Sequence, residues 1–366
     1  MKTILVVVGT RPEAIKLAPV ILALKKHPTH FTVQVCSTAQ HRHILDSVLN
    51  LFHIIPDIDL DLMQNNQSIP ELSSRAMVSL TQTLKQVMPD LVLVQGDTTT
   101  AMIAAMAAFY QQIPIAHVEA GLRTKNILNP FPEEMNRRVI SILGEFHFAP
   151  TSRAVDSLVG EGIAKEKIYL TGNTVVDALL TILEQGVDGE LPVQVEDQKF
   201  ILVTAHRRES FGEPLKEICK AVRELARRFL DLAFIYPVHP NPNVQEVVKR
   251  ELIGIPRVFL LDPLDYRKFV FLMKHSYLIL TDSGGIQEEA ASLGKPVLVM
   301  RGETERVESI EIGVSKLVGV SAERIVQEVE TLLLDERAYA AMSQHSQVYG
   351  DGHAAERIIK VLEEHL

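Results

Sequence analysis

Residues 277–300, YLILTDSGGIQEEAASLGKPVLVM, decide the fold. An apolar run, YLILT, stops at Asp282 and a Ser-Gly-Gly turn; a helical stretch follows, and after Gly294 a second apolar run, KPVLVM, begins. Strand, helix and strand in so short a span make a βαβ unit, and strands that are apolar throughout belong to a parallel sheet covered on both faces. The same rhythm recurs as TILVVV, TVQVCS, DLVLVQ and IPIAHV early in the chain, and as KFILVT, LAFIYPV and RVFLL later. The class is therefore α/β. The 366 residues leave room for two domains. Between 173 and 198 the rhythm lapses into a polar stretch with Gly186, Gly189 and Pro192, which marks the connection between them. The reading is of two Rossmann-like doubly wound domains, 1–172 and 199–345, with ligands beyond the carboxyl ends of the strands. Residues 346–366 form a last amphipathic helix after Gly-Asp-Gly, which sequence alone assigns to neither domain.

Composition narrows the function. With 37 basic against 46 acidic residues the formal net charge is −9, and no run of Lys or Arg offers a face that tracks phosphates, so nucleic acid is excluded as a partner. Cys36 and Cys219 lie far apart without metal-ligand spacing, as expected of a protein in a reducing compartment. The apolar run in MKTILVVVGTRPEAIK breaks too early for a signal peptide, and no segment has the roughly 18 apolar residues of a membrane span. A soluble, cytoplasmic protein is expected. G-x-G-x-x-G after a strand, G-x-x-x-x-G-K-[ST], H-E-x-x-H and paired cysteines are all missing, so nicotinamide, P-loop ATP chemistry and zinc lack support. The expected ligand carries phosphate and is bound without a cofactor or metal.

Ser283, Gly284 and Gly285 are the first candidates to bind it. Two glycines let the backbone approach a ligand, and a helix starting near Ile286 would aim its N–H groups there. The plainer alternative is a tight turn, with Glu288 and Glu289 complementing the helix dipole. Arg301 and Arg306, in RGETERVE, either clamp phosphate or pair with nearby glutamates. In VVVGTRPEAIKLAPV, Thr10 and Glu13 form a capping box with Pro12 at the first helical position. Arg11 and Lys16 have no such local task; cations there oppose the dipole and call for an anion, the plainer alternative being solvated surface charge.

Carboxylates arrive at the ends of buried strands: Asp97 from LVLVQGD, Glu119 from IPIAHVE, and Glu133 in the first turn after Pro132. Asp97 has an alternative role as the N-cap of the next helix, and Glu133 as a dipole partner. Glu119 must find partners or lose its charge. Together with Arg11, Lys16, Arg123 and His206, the three acids read as acid–base equipment. From the second domain, FILVTAHRRESFG sends His206, Arg207 and Arg208 toward a cleft between the domains.

GTRPEAIKLAPV, TAQHR, QGDTTT, HVEAGLRT, PFPEEMNRR, TGNTVVDAL, TAHRRESFGEP, TDSGGIQEEAASLGKPVLVMR and YGDGHAAERI, in register over nearly the whole chain, resemble the non-hydrolysing UDP-N-acetylglucosamine 2-epimerases. The resemblance implies a glycosyltransferase B fold with the nucleotide sugar between two domains, a last helix returning to the first domain, and a homodimer. It also implies C2 epimerisation of UDP-N-acetylglucosamine to UDP-N-acetylmannosamine through loss of UDP, a 2-acetamidoglucal and re-addition, supplying bacterial surface polysaccharide. On the matching positions, Asp97, Glu119, Glu133 and His206 are catalytic. Arg11, Lys16, Phe269, Ser283, Gly284, Gly285, Glu289 and Arg306 bind substrate, Glu289 at the ribose and Phe269 at the nucleoside. Some bacterial members are activated by a second substrate molecule. Here Gln40, Arg207 and His239 match that site, whereas His43 replaces a glutamine and Asn65 and Asn66 stand where an arginine is sought. The stretch TKNILN also departs from the pattern. A hydrolysing epimerase, a glycosyltransferase of the same fold and a non-catalytic UDP-sugar sensor remain as rival readings.

Overall fold

The computed structural model describes residues 1–38, 42–62, 67–124, 126–186, 191, 195 and 198–366, except the side chains of residues 42–44 and 208. The chain divides into two compact units. The first is Met1–Leu180 with Tyr349–Leu366, and the second is Thr181–Val348. The division falls within the helix Thr174–Glu184.

In the first unit β1 (Lys2–Val8), β2 (Phe31–Ser37), β3 (Ile58–Asp59), β4 (Leu91–Gln95), β5 (Ile115–Val118), β6 (Phe146–Ala149) and β7 (Ile168–Leu170) form one sheet. Among the described residues its order is β3-β2-β1-β4-β5-β6-β7, with every pairing parallel. In the second unit β8 (Lys199–Thr204), β9 (Leu232–Pro237), β10 (Val258–Leu261), β11 (Leu278–Thr281), β12 (Val297–Val299) and β13 (Ser315–Leu317) follow the same plan. Their order is β10-β9-β8-β11-β12-β13, again all parallel. Both sheets reverse direction of growth once, between β1 and β4 and between β8 and β11. Those switch points are where an open α/β sheet leaves a crevice beyond its strand ends.

Burial follows the sequence pattern. Ile4, Leu5, Val6 and Val8 in β1, and Leu278, Ile279 and Leu280 in β11, are fully buried, because helices cover both faces. Each such side chain contributes about 1.5–3 kcal/mol relative to exposure. The helix Thr99–Tyr110 is rich in alanine and buries Ala101, Ala104, Ala105, Ala107 and Ala108, packing inside the first unit's core. The nine strands expected from apolar runs all form; β3, β6, β7 and β13 come in addition. The doubly wound α/β class is thus observed in both units.

Residues 349–366 complete the first unit. Asn173 N donates to the Tyr349 carbonyl at 2.6 Å, and Asp177 accepts from Ala355 N at 2.8 Å, supplying an acceptor at the start of the helix Ala354–His365. No helix among the described residues is long and apolar enough to cross a membrane.

Candidate active site

At the switch point of the first unit, the helix Arg11–Lys25 follows β1 and the helix Thr99–Tyr110 follows β4. Both begin with a threonine cap: Thr10 in a full capping box with Glu13, and Thr98 accepting from Ala101 N. Glu13 connects them, since its carboxylate accepts from Gly9 N at 2.9 Å, Thr10 N at 2.6 Å and the Thr98 hydroxyl at 2.6 Å. Burial pushes the Glu13 carboxyl up, while these hydrogen bonds oppose the shift. Thr98, not Asp97, caps the second helix. Asp97 has a different task, which corrects the capping alternative.

Asp97 and Glu119 are bridged by Arg137. The guanidinium, 3% exposed, donates to Asp97 Oδ2 at 2.5 Å, to Glu119 Oε1 at 3.2 Å and to the Glu119 carbonyl. Glu119 also accepts from Lys16 Nζ and, at 2.9 Å, from Asn173 Nδ2. The anion that Lys16 meets is thus the protein's own. Glu119 is buried and holds φ at 64°, a left-handed conformation that a non-glycine residue adopts when its surroundings fix it. Removing one partner from such a buried ion cluster typically costs about 3–5 kcal/mol. Asp97 is more open, with about a third of its side chain accessible, and its carbonyl accepts from Asn136 Nδ2 at 2.9 Å.

Glu133 is the first residue of the helix Glu133–Leu143 and is half-buried. The loop before it contains two cis peptide bonds, Asn129-Pro130 and Phe131-Pro132. Four residues on, Arg137 lies on the same helix face, whereas Arg138 turns to Glu134. Arg123 does not join the acids: it pairs with Glu161 and donates to Ser141 Oγ. Arg11, half-buried, opens the first helix.

At the second unit's switch point, Asp282 directly follows β11 and is fully buried. Its Oδ2 accepts at 2.9 Å from His206 N, Arg207 N and Ser210 Oγ, tying the loop after β8 to the end of β11. His206 stacks on His239, their rings 5.2 Å apart and 16° from parallel. The helix after β11 runs Gly284–Ser292, beginning at Gly284 rather than near Ile286. Ser283 is its N-cap residue but accepts no capping bond, so this helix start lacks the side-chain acceptor that both switch-point helices of the first unit possess.

Glu288 and Glu289 lie beyond the first turn, so the dipole reading is corrected. Glu288 accepts from Arg306 Nε at 3.0 Å, and Glu289 accepts from Tyr266 Oη at 2.6 Å. Arg306 lies directly over Gly284: a methyl group there would come within 2.8 Å of its Nη1. Glycine is therefore needed for the close approach of guanidinium and helix terminus. Of the two alternatives for Arg301 and Arg306, the contacts show pairing with nearby glutamates, Arg306 with Glu288 and Glu305 and Arg301 with Glu209 and Glu305. Around them, Glu305 faces Arg306, Arg301 at 3.0 Å and Arg207 at 3.7 Å, and Arg301 also meets Glu209 at 2.6 Å. Burial alone would push the Glu305 carboxyl up, but the three guanidinium groups hold it well below the usual carboxylate range. Phe269 stands half-buried on the helix Tyr266–His275. Gln40, Asn65, Asn66 and the side chains of His43 and Arg208 lie outside the described residues, as does Lys125 of the TKNILN stretch. No group of three or more His, Cys, Asp or Glu among the described residues could hold a metal ion.

Arg137, Asn173, Asp282 and Glu305 escaped the sequence reading. Asp282 carried the same signal as Glu119, an acid at the end of a buried strand, and Arg137 carried a helical spacing from Glu133. Asn173 is defined by contacts distant in sequence, and Glu305 by where its neighbours Arg301, Arg306 and the distant Arg207 converge.

The family profile described as UDP-N-acetylglucosamine 2-epimerase matches residues 22–363. The UDP-N-acetylglucosamine 2-epimerase of Escherichia coli (strain K12) is 50% identical over 368 residues, covering 98% of each chain. That of Bacillus subtilis (strain 168) is 48% identical over 359 residues, covering 98% of this chain and 94% of its own. The crystal structure of UDP-GlcNAc 2-epimerase from Neisseria meningitidis bound to UDP-GlcNAc superimposes with a TM-score of 0.96 at 47% identity, covering 99% of this chain and all of the other. The chain belongs to the UDP-N-acetylglucosamine 2-epimerase family, enzymes built on the glycosyltransferase B fold.

Proposed function

We propose that this epimerase works without hydrolysis, interconverting UDP-N-acetylglucosamine and UDP-N-acetylmannosamine through an enzyme-bound 2-acetamidoglucal. The C1–O bond breaks and UDP leaves with the electron pair. Positive character at C1 makes the C2 proton removable, and a carboxylate takes it as the C1–C2 double bond forms. A proton then returns to the opposite face of C2 while a UDP oxygen rebuilds the bond to C1. Nothing is oxidised and no cofactor is consumed.

The observation that carries this reading is the bridged acid pair of the first unit, with Glu133 on the bridging helix. A sensor has no use for two acids bridged by one guanidinium with a third acid on the same helix face. Both oxygens of Glu119 are engaged, by two cations and an amide. It serves as a fixed anion, and the half-buried Asp97 and Glu133 exchange protons with C2. In the second unit, Ser283, Gly284 and Gly285 receive the diphosphate, Arg306 neutralises it, Glu289 binds the ribose and Phe269 the base. A clamp of that kind keeps UDP bound while it is detached from the sugar. His206 faces the diphosphate; Arg11 and Lys16 serve the substrate in the first unit. Arg207 and His239, with Gln40, are the proposed regulatory contacts for a second substrate molecule. The enzyme is proposed to act as a cytoplasmic homodimer that supplies surface polysaccharide synthesis.

Proton NMR of UDP-N-acetylglucosamine with the enzyme in deuterium oxide, without added metal or nicotinamide, tests the mechanism. Two UDP-sugars approaching equilibrium with deuterium at C2, and little free UDP, are expected. Free UDP with N-acetylmannosamine would instead identify a hydrolysing enzyme. An unchanged spectrum would count against the reaction itself.

A further inference from the structure

His117 is the penultimate residue of β5, fully buried, two residues before Glu119. Its Nε2 lies 2.7 Å from the Gly96 carbonyl oxygen. A carbonyl only accepts, so Nε2 carries the proton. Nδ1 is buried and has no hydrogen-bond partner among the described residues. Burial, reinforced by the Arg137 charge, holds the imidazole well below its ordinary pKa, so the ring stays neutral and the donor stays in place.

Gly96 needs this donor. It is buried at the end of β4 with φ of 73°, and having no Cβ it has no side chain to fix the plane of the peptide that leads into Asp97. Its N–H is held by the Val118 carbonyl at 3.0 Å, and its C=O by His117. Asp97 is then held by Asn136 at its own carbonyl and by Arg137 at its carboxylate. Among the described residues, His117 supplies a hydrogen bond to the peptide joining the two residues.

We propose that His117 is a positioning residue for the epimerisation, fixing the Gly96–Asp97 peptide so that Asp97 meets Arg137 and the sugar in one orientation. The inference rests on the reading of Asp97 as a proton-transfer residue. Without the ring, the Gly96 carbonyl is left buried without this donor, the peptide is free to rotate, and the carboxylate loses its setting.

The neighbouring strand supplies a control. His147 pairs with His117 across β5 and β6 and is equally buried, but its ring packs against Gly144, away from the acids. Steady-state kinetics would compare the wild type with His117→Leu, His117→Gln and His147→Leu, with folding checked by circular dichroism. A misplacement of about 1 Å can cost on the order of 10²-fold in rate. We expect His117→Leu to lose about that much in kcat, with KM within about twofold. His117→Gln, whose side-chain amide reaches the Gly96 carbonyl, should recover at least about tenfold of the loss. His147→Leu should lose stability without losing kcat. Equal losses in the two leucine variants, or no recovery with glutamine, would overturn the proposal. Should His117→Leu not fold, His117→Asn replaces it, because its shorter amide falls short of Gly96; equal rates for Asn and Gln would be equally fatal. A wild type without epimerase activity would overturn the functional reading and this inference with it, whereas an active wild type with an unimpaired, folded His117→Leu would overturn this inference alone.

Discussion

The two units share one order over six strands and gather their candidate residues at the same topological point, but they arrange charge there in different ways. In the first unit both switch-point helices are closed by threonine caps, and Lys16 and Arg137 hold carboxylates in place beside them. In the second, the helix after β11 opens with two glycines and no side-chain cap, and arginines gather around it. Capping uses up a helix's capacity to bind an anion; omitting the cap keeps that capacity available. On the proposed function, one fold carries proton chemistry in one copy and phosphate binding in the other, through the residues at its strand ends.

The comparison breaks most directly at Asp97. Asp97→Asn should lower kcat by about 10³-fold or more while leaving UDP affinity within a few-fold by calorimetry. A large loss of UDP binding would mean that the division of labour is wrong. Arg137→Met comes next. It leaves two carboxylates without their shared cation, and a stability loss of about 3–5 kcal/mol in urea titrations, together with a steep fall in kcat, is expected. Gly284→Ala sharpens the other side. Its methyl group would displace Arg306, so UDP affinity should fall by about tenfold or more, and a variant that binds UDP normally would remove the diphosphate from this helix start.

A smaller effect tests the electrostatics. The Glu305 carboxyl is held low in the folded chain, so its contribution to stability is complete above the ordinary carboxylate range. It declines on acidification below about pH 4, where the unfolded chain takes up a proton that the folded carboxylate still resists. Glu305→Gln should flatten the acid limb of the stability profile, measured as midpoint against pH; an unchanged limb would show that the three arginines do not depend on it. Smallest of all, Glu161→Gln cuts a partly exposed pair with Arg123 and should cost less than about 1 kcal/mol, with turnover intact.

How much of this was legible beforehand follows from length and locality. Strands with long β-branched runs, such as β1 and β8, announced themselves. By contrast β3, β7 and β13 are two- or three-residue sheet edges, and β6, FHFA, has no β-branched residue at all. At the site, residues singled out by strand ends and turns could be found by position. Arg137 and Arg138 are adjacent and look alike in sequence; only helical phase separates the one that spans two carboxylates from the one that pairs with Glu134. Glu288 and Glu289 were misjudged because the helix starts two residues earlier than its apolar pattern indicates, which moves both out of the first turn.

Asn173 gives the order of synthesis a bearing on the active site. This residue holds Glu119 through its side chain and is held through its own amide by the Tyr349 carbonyl. As the ribosome emits the chain, residues 1–180 appear first, the whole of the second unit follows, and only then does Tyr349 emerge. A nascent chain thus carries its three acids long before the setting of one of them is complete. Translation halted anywhere in the second unit would release a first unit whose Asn173 lacks that anchor.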